Sequence, residues 1–108
     1  MMRGTYNLQT ISTPSLYNNE EHCTLVAPFV QEIVGQENLF IDKEPIAGTE
    51  DFSYVSQRVP TMFMWASSNS LGDQNYPLHN PNIVLDEGVL PLGVAVLVHS
   101  AISWLNIS

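Results

Sequence analysis

The chain has 108 residues, eleven of them acidic against three basic, for a formal net charge of -8, and 44% are hydrophobic. That length holds one small domain or a piece of a larger one, and the apolar content excludes disorder. The scarcity of Lys and Arg excludes nucleic acid and anionic membrane surfaces as partners. The single cysteine, Cys23, has no partner for an internal disulfide and fits a reducing compartment. Residues 1–7 carry no apolar secretory core, so a cytoplasmic location is expected.

Residues 3–17 alternate loosely, with Tyr6, Leu8 and Thr10 on one face, and read as one strand followed by an extended segment at Pro14. A lone strand is unstable and needs a sheet to join. Asn18 or Asn19 then offers a helix N-cap, and Glu20 and Glu21 complement the positive end of the dipole. Leu25, Val26, Phe29, Val30, Ile33 and Val34 follow at helical spacing, with Gly35 as the stop, which predicts a helix over 20–34. Pro28 is the misfit, because it removes one hydrogen bond and bends the axis. Leu39 to Ile41 reads as a short buried strand. A turn from Pro45 leads to a short helix of about 50–58, which Thr49 can cap. Glu50 and Asp51 in its first turn read first as dipole complementation.

Thr61 to Trp65 is a continuous apolar run after Pro60, the pattern of a strand covered on both faces in an α/β sheet. A polar loop, 66–75, leads to Tyr76-Pro77-Leu78-His79-Asn80-Pro81. The two prolines push Tyr76 and Asn80 to extended geometry. A histidine held in such a segment can be aimed at a metal or used for proton transfer, although taken alone His79 reads more simply as a loop histidine. The last helix, within Asp86 to Trp104, is apolar nearly all round. A membrane span competes for it, but Pro91, Gly93, His99, Ser100 and Ser103 favour a helix buried across a sheet. His99 reads as a helix residue at a polar edge.

Taken in order, Gly48-Thr49-Glu50-Asp51-Phe52-Ser53-Tyr54, then Val59-Pro60, the apolar run, Tyr76 to Pro81, Asp86-Glu87 and the apolar helix form an ordered set. This set resembles the C-terminal end of the dinuclear-metal amidohydrolases, the aminoacylase-type zinc peptidases that include hippurate hydrolases, auxin-conjugate hydrolases and related zinc carboxypeptidases. The likeness runs from about Pro14 to Leu105. It implies an α/β fold, the C-terminal part of a phosphorylase/hydrolase-like zinc-peptidase catalytic domain. Residues 1–17 are then the remnant of an inserted lid domain that often mediates dimerisation, and residues 18–108 the end of the catalytic domain.

The resemblance carries a metal-ligand role over to His79 and a place near the substrate to Gly48, Thr49, Glu50 and Asp51. The ions implied are two divalent metals, zinc or manganese, and the substrates implied are N-acyl amino acids or small peptides. The family's other ligands and its general-base glutamate lie in an N-terminal half that this chain does not contain. A dinuclear site needs several ligands around ions about 3.5–4 Å apart, so the expectation is a fragment that is inactive alone. The chain also departs from the family at Ala66-Ser67-Ser68, where glycines are usual. The competing expectation is a small acidic α/β interaction module without chemistry. Under the resemblance, the 39–41 and 61–65 strands share a sheet, and His79 points into the same cleft as the Gly48–Asp51 turn.

Overall fold

The computed structural model describes residues 4–7, 12–41, 44–68 and 76–107. Helix α1, Glu20–Val34, begins where the Asn19 side-chain oxygen accepts a hydrogen bond from the backbone N–H of His22 at 2.8 Å. Glu20 and Glu21 fill its first turn. Pro28 is accommodated because it and Thr24, whose carbonyl it leaves unbonded, both lie on the exposed side. The helix stops at Gly35, whose φ of 85° favours glycine. A Cβ there would also come within 2.7 Å of the Glu37 carboxylate. A single 3-10 turn, Gln36–Asn38, follows.

Helix α2 is one turn long, Ser53–Ser56, and helix α3 runs Val89–Ile107. Asp86 starts α3 twice over. Its carboxylate accepts from the Gly88 N–H at 2.8 Å and its carbonyl from the Val89 N–H at 3.2 Å. Pro91 falls in the first turn, where its missing N–H has no helical partner to lose. Helices α1 and α3 pack together as an antiparallel pair, with His22 edge-on to Trp104 near one end. Val26 and Val30 of α1 and Val96 of α3 form the buried centre, and Leu39, Met62 and Met64 lean on it.

The remaining order comes from an extended segment, 61–65, laid beside residues 17–19. The Asn19 N–H donates to the Thr61 carbonyl at 2.9 Å. The Asn18 side chain bonds both backbone groups of Phe63, accepting from its N–H at 2.7 Å and donating to its carbonyl at 3.0 Å. One side-chain amide thus does what a neighbouring strand would do. Met62 and Met64 pack on the valine core, while Phe63 stacks between Phe52 and Trp65 at centroid distances of 5.8 and 5.4 Å. The alternation is that of a β-strand.

No strand forms among the described residues, so the structure departs from the expected α/β sheet. Neither 39–41 nor 61–65 forms a ladder, because a ladder needs a partner backbone along its length and 61–65 receives only the Asn19 N–H at Thr61. Over 4–7 the expected N-terminal strand has no regular structure and is exposed, and Leu8 and Thr10 lie outside the described residues. Nor is α3 buried across a sheet. Only Val96 and Ser100 on it are buried, and Leu90, Val94, Leu97 and Leu105 are among its exposed side chains. By length and composition α3 could cross a membrane.

The chain exposes 9596 Å², about 1.6 times the ~6,000 Å² of a compact monomer of this mass. Its radius of gyration is 18.5 Å, against about 13 Å for a closed domain of this length.

Candidate functional site

The Gly48–Asp51 turn leads directly into α2. Gly48, Thr49 and Asp51 are exposed and Glu50 is half-buried. Glu50, not Thr49, starts the helix, its carboxylate accepting from the Phe52 N–H at 3.1 Å and its carbonyl from the Ser53 N–H at 3.0 Å. A glutamate folded back onto its own turn satisfies donors that have no helical partner. The expected helix of 50–58, with Thr49 as cap and both acids in its first turn, is a single turn, Ser53–Ser56, whose first turn holds no acid; Glu50 and Asp51 lie just before it. Ser53, which sequence reasoning did not single out, is completely buried, and its hydroxyl has no hydrogen-bond partner among the described residues. Nothing in a lone serine signals that burial. Helix α2 is tied to the N-terminal segment by Tyr54, whose hydroxyl donates to the Ser12 carbonyl, and by Gln57, whose amide donates to that of Ser15.

His79 stands at the third position of a turn closed by the Asn80 N–H donating to the Pro77 carbonyl at 3.2 Å. Its φ is 68°, the one left-handed non-glycine among the described residues. That is the geometry of a type II turn, which usually takes glycine or asparagine there. A second turn follows at once. The Asn80 side chain accepts from the Asn82 N–H at 2.9 Å and its carbonyl from the Ile83 N–H at 3.0 Å. Pro77 opens the first turn and Pro81 takes the second position of the next, each with its φ fixed, so the imidazole is carried by a doubly braced stretch of backbone and is exposed to solvent.

No hydrogen bond or ion pair joins His79 to the Gly48–Asp51 turn among the described residues. The two clearest hollows also exclude both. One is lined in part by Tyr17, Ser56, Arg58 and Thr61, the other by Asn19, Glu21, His22, Leu25 and Pro60. The other histidines sit on helices. His22 meets Trp104, and the His99 Nε2 lies 2.6 Å from the Glu32 carboxylate, tying α3 to α1. Burial pushes the Cys23 thiol above its ordinary pKa.

The described residues contain no group of three or more His, Cys, Asp or Glu side chains able to hold a metal ion. An exposed imidazole on a braced turn fits the part of one ligand. It does not make a dinuclear centre, so no step through a metal is derived from these residues.

The turn, the aromatic-flanked extended segment, the braced histidine and the long apolar helix occur in the order of one hydrolase family, and comparison with known proteins agrees. The profile of peptidase family M20/M25/M40 matches residues 4–103, and the chain belongs to that family. A probable hydrolase of Synechocystis is 34% identical over 98 residues, which are 88% of this chain and 25% of that protein. The thermostable carboxypeptidase 1 of Saccharolobus solfataricus is 32% identical over 94 residues, 86% of this chain and 23% of its own. An IAA-amino acid hydrolase ILR1-like 2 of Arabidopsis thaliana is 29% identical over 93 residues, again 86% of this chain and 21% of its own. The chain therefore spans about a quarter of the length of these relatives. No solved structure matches it.

Proposed function

We propose that this chain is the metal-ligand-bearing end of an amidohydrolase whose whole form cleaves the amide bond of N-acyl amino acids or small peptides. The observation that supports the reading best is the family match over 4–103, together with relatives named for hydrolysing an amino-acid conjugate and for deacetylating N-acetyldiaminopimelate. In this reading residues 1–17 descend from the lid domain and residues 18–108 end an α/β catalytic domain whose sheet is completed from elsewhere. His79 is one ligand to one of two divalent ions, zinc or manganese. When bound, such ions activate water for attack on the amide carbonyl. The chain's own part is to hold the imidazole at a fixed place. The exposed Gly48–Asp51 turn contributes to the substrate-side wall, and the chain alone is inactive.

The test is reconstitution. The chain is fused behind the remaining three quarters of the Synechocystis relative and assayed with N-acetyl and N-benzoyl amino acids plus zinc or manganese. Turnover should appear in the fusion and vanish with His79→Ala, with one equivalent of metal lost. Turnover by the isolated chain, abolished by the same substitution, would overturn the reading.

A further inference from the structure

The chain carries eleven acidic residues against three basic ones, yet one hollow of about 200 Å³, open to solvent beside Thr61, has no acid among the described residues that line it. Arg58 lines it instead. It is exposed, it is the one Lys or Arg among the described residues, and its guanidinium makes no ion pair or hydrogen bond with any of them. The other polar groups of the wall are biased the same way. The Tyr17 carbonyl accepts from the Thr61 hydroxyl at 3.2 Å, the Thr61 carbonyl from the Asn19 N–H at 2.9 Å, and the Asn19 Oδ1 from the His22 N–H at 2.8 Å. These acceptors are spent on holding the wall together, and Thr61 is only 6% exposed within it. The Asn19 Nδ2 amide and the Tyr17 hydroxyl keep their protons without a partner among the described residues. Donors left over beside an unpaired guanidinium call for an anion.

We infer that this hollow binds a small monocarboxylate with a short apolar tail. The planar fork of a guanidinium matches the two oxygens of a carboxylate, and the Asn19 amide and Tyr17 hydroxyl supply further donors around it. Val59 and Pro60 give the tail an apolar surface. The volume lies below the ~300 Å³ at which pockets for drug-sized ligands begin, so the ligand is small. A doubly charged anion such as phosphate is disfavoured on two counts. Only one cation is present, and the adjoining hollow, which shares Asn19 and Pro60, carries Glu21. Neither His79 nor the Gly48–Asp51 turn lines the site. The inference therefore needs no metal and no hydrolysis, and it holds or fails apart from the proposed activity.

The probe is butyrate, titrated into the 108-residue chain at constant ionic strength and followed through the side-chain N–H resonances of Arg58 and Asn19. Both should shift together and saturate. Butyramide has the same shape without the charge and should bind at least ~10-fold more weakly. Arg58→Lys keeps the charge but loses the fork, and should weaken butyrate at least ~5-fold. Asn19→Asp keeps a good α1 cap while replacing the free donor with a negative charge, and should weaken it at least ~10-fold. The α-helical ellipticity of each variant shows that the α1–α3 pair is intact, and the comparison of butyrate with butyramide needs no variant at all. Absence of a saturable shift, equal binding of butyramide, tighter binding of inorganic phosphate, or the same shifts from sodium chloride alone would each overturn the proposal.

Discussion

Val30→Ala probes how much the small valine core carries. Val30 is 3% exposed and sits in the centre of the α1–α3 contact. The substitution removes two methyl groups, about 1.6 kcal/mol of transfer free energy at ~0.8 kcal/mol each. The cavity left behind raises the loss to about 2–3 kcal/mol. Alanine is a better helix former by roughly 0.5 kcal/mol, so the net cost is about 1.5–2.5 kcal/mol. Val94→Ala is the matched control, because Val94 is a helical valine 62% exposed on α3. It gains the propensity term and loses almost no packing, so it should be neutral or slightly stabilising. Hydrogen exchange of the α1 amides reads both without needing a sharp melt. Tenfold per 1.4 kcal/mol predicts exchange roughly 10- to 60-fold faster in Val30→Ala. Equal exchange in the two variants would refute the assignment of the core.

Other outcomes follow from single contacts. Asn19→Ala removes the α1 N-cap and should cost about 1 kcal/mol, seen as faster exchange confined to the first turn. Glu32→Gln breaks an exposed ion pair with His99 and should change stability by less than ~1 kcal/mol, with the small effect fading in high salt. Cys23 has its pKa raised by burial, so the folded chain holds the thiol proton more tightly than the unfolded one. Any stability from this is present below the unfolded pKa and lost as pH rises through the folded one; iodoacetamide should label Cys23 more slowly in buffer than in urea. His79→Gly relieves a left-handed backbone that costs a β-carbon about 1 kcal/mol. It should keep the turn while removing metal from the reconstituted enzyme, separating the conformational role from the ligand role.

Local chemistry was legible in the sequence. The caps, first-turn acids and apolar spacing gave α1 its bounds at Glu20 and Val34, because each acts within one or two turns. Asp86 was read inside the last helix; it lies just before α3 and caps it through both side chain and carbonyl. The left-handed φ of His79 was not legible. The prolines constrain their predecessors, Tyr76 and Asn80, and say nothing of the residue between Leu78 and Asn80. The burial of Ser53 was hidden for a different reason, since it depends on packing by segments distant in sequence. Of the candidate site, the braced turn and the acidic turn could be found, but the distance between them is set by long-range pairing that no local pattern encodes.

The 61–65 segment keeps the side-chain alternation of a strand without a sheet around it. Its side chains alternate between two apolar layers, and the edge facing residues 18 and 19 is bonded by the Asn19 N–H and by the side-chain amide of Asn18. Helix α3 has the same character. It carries no Asp, Glu, Lys or Arg over nineteen residues, yet it buries only Val96 and Ser100 against its neighbours. Surface apolarity on that scale destabilises a free monomer in water and stabilises an assembly that covers it. Three buried valines, with partly buried side chains such as Phe29, Ile33 and Leu39 around them, make a small core for two helices and a long extended segment.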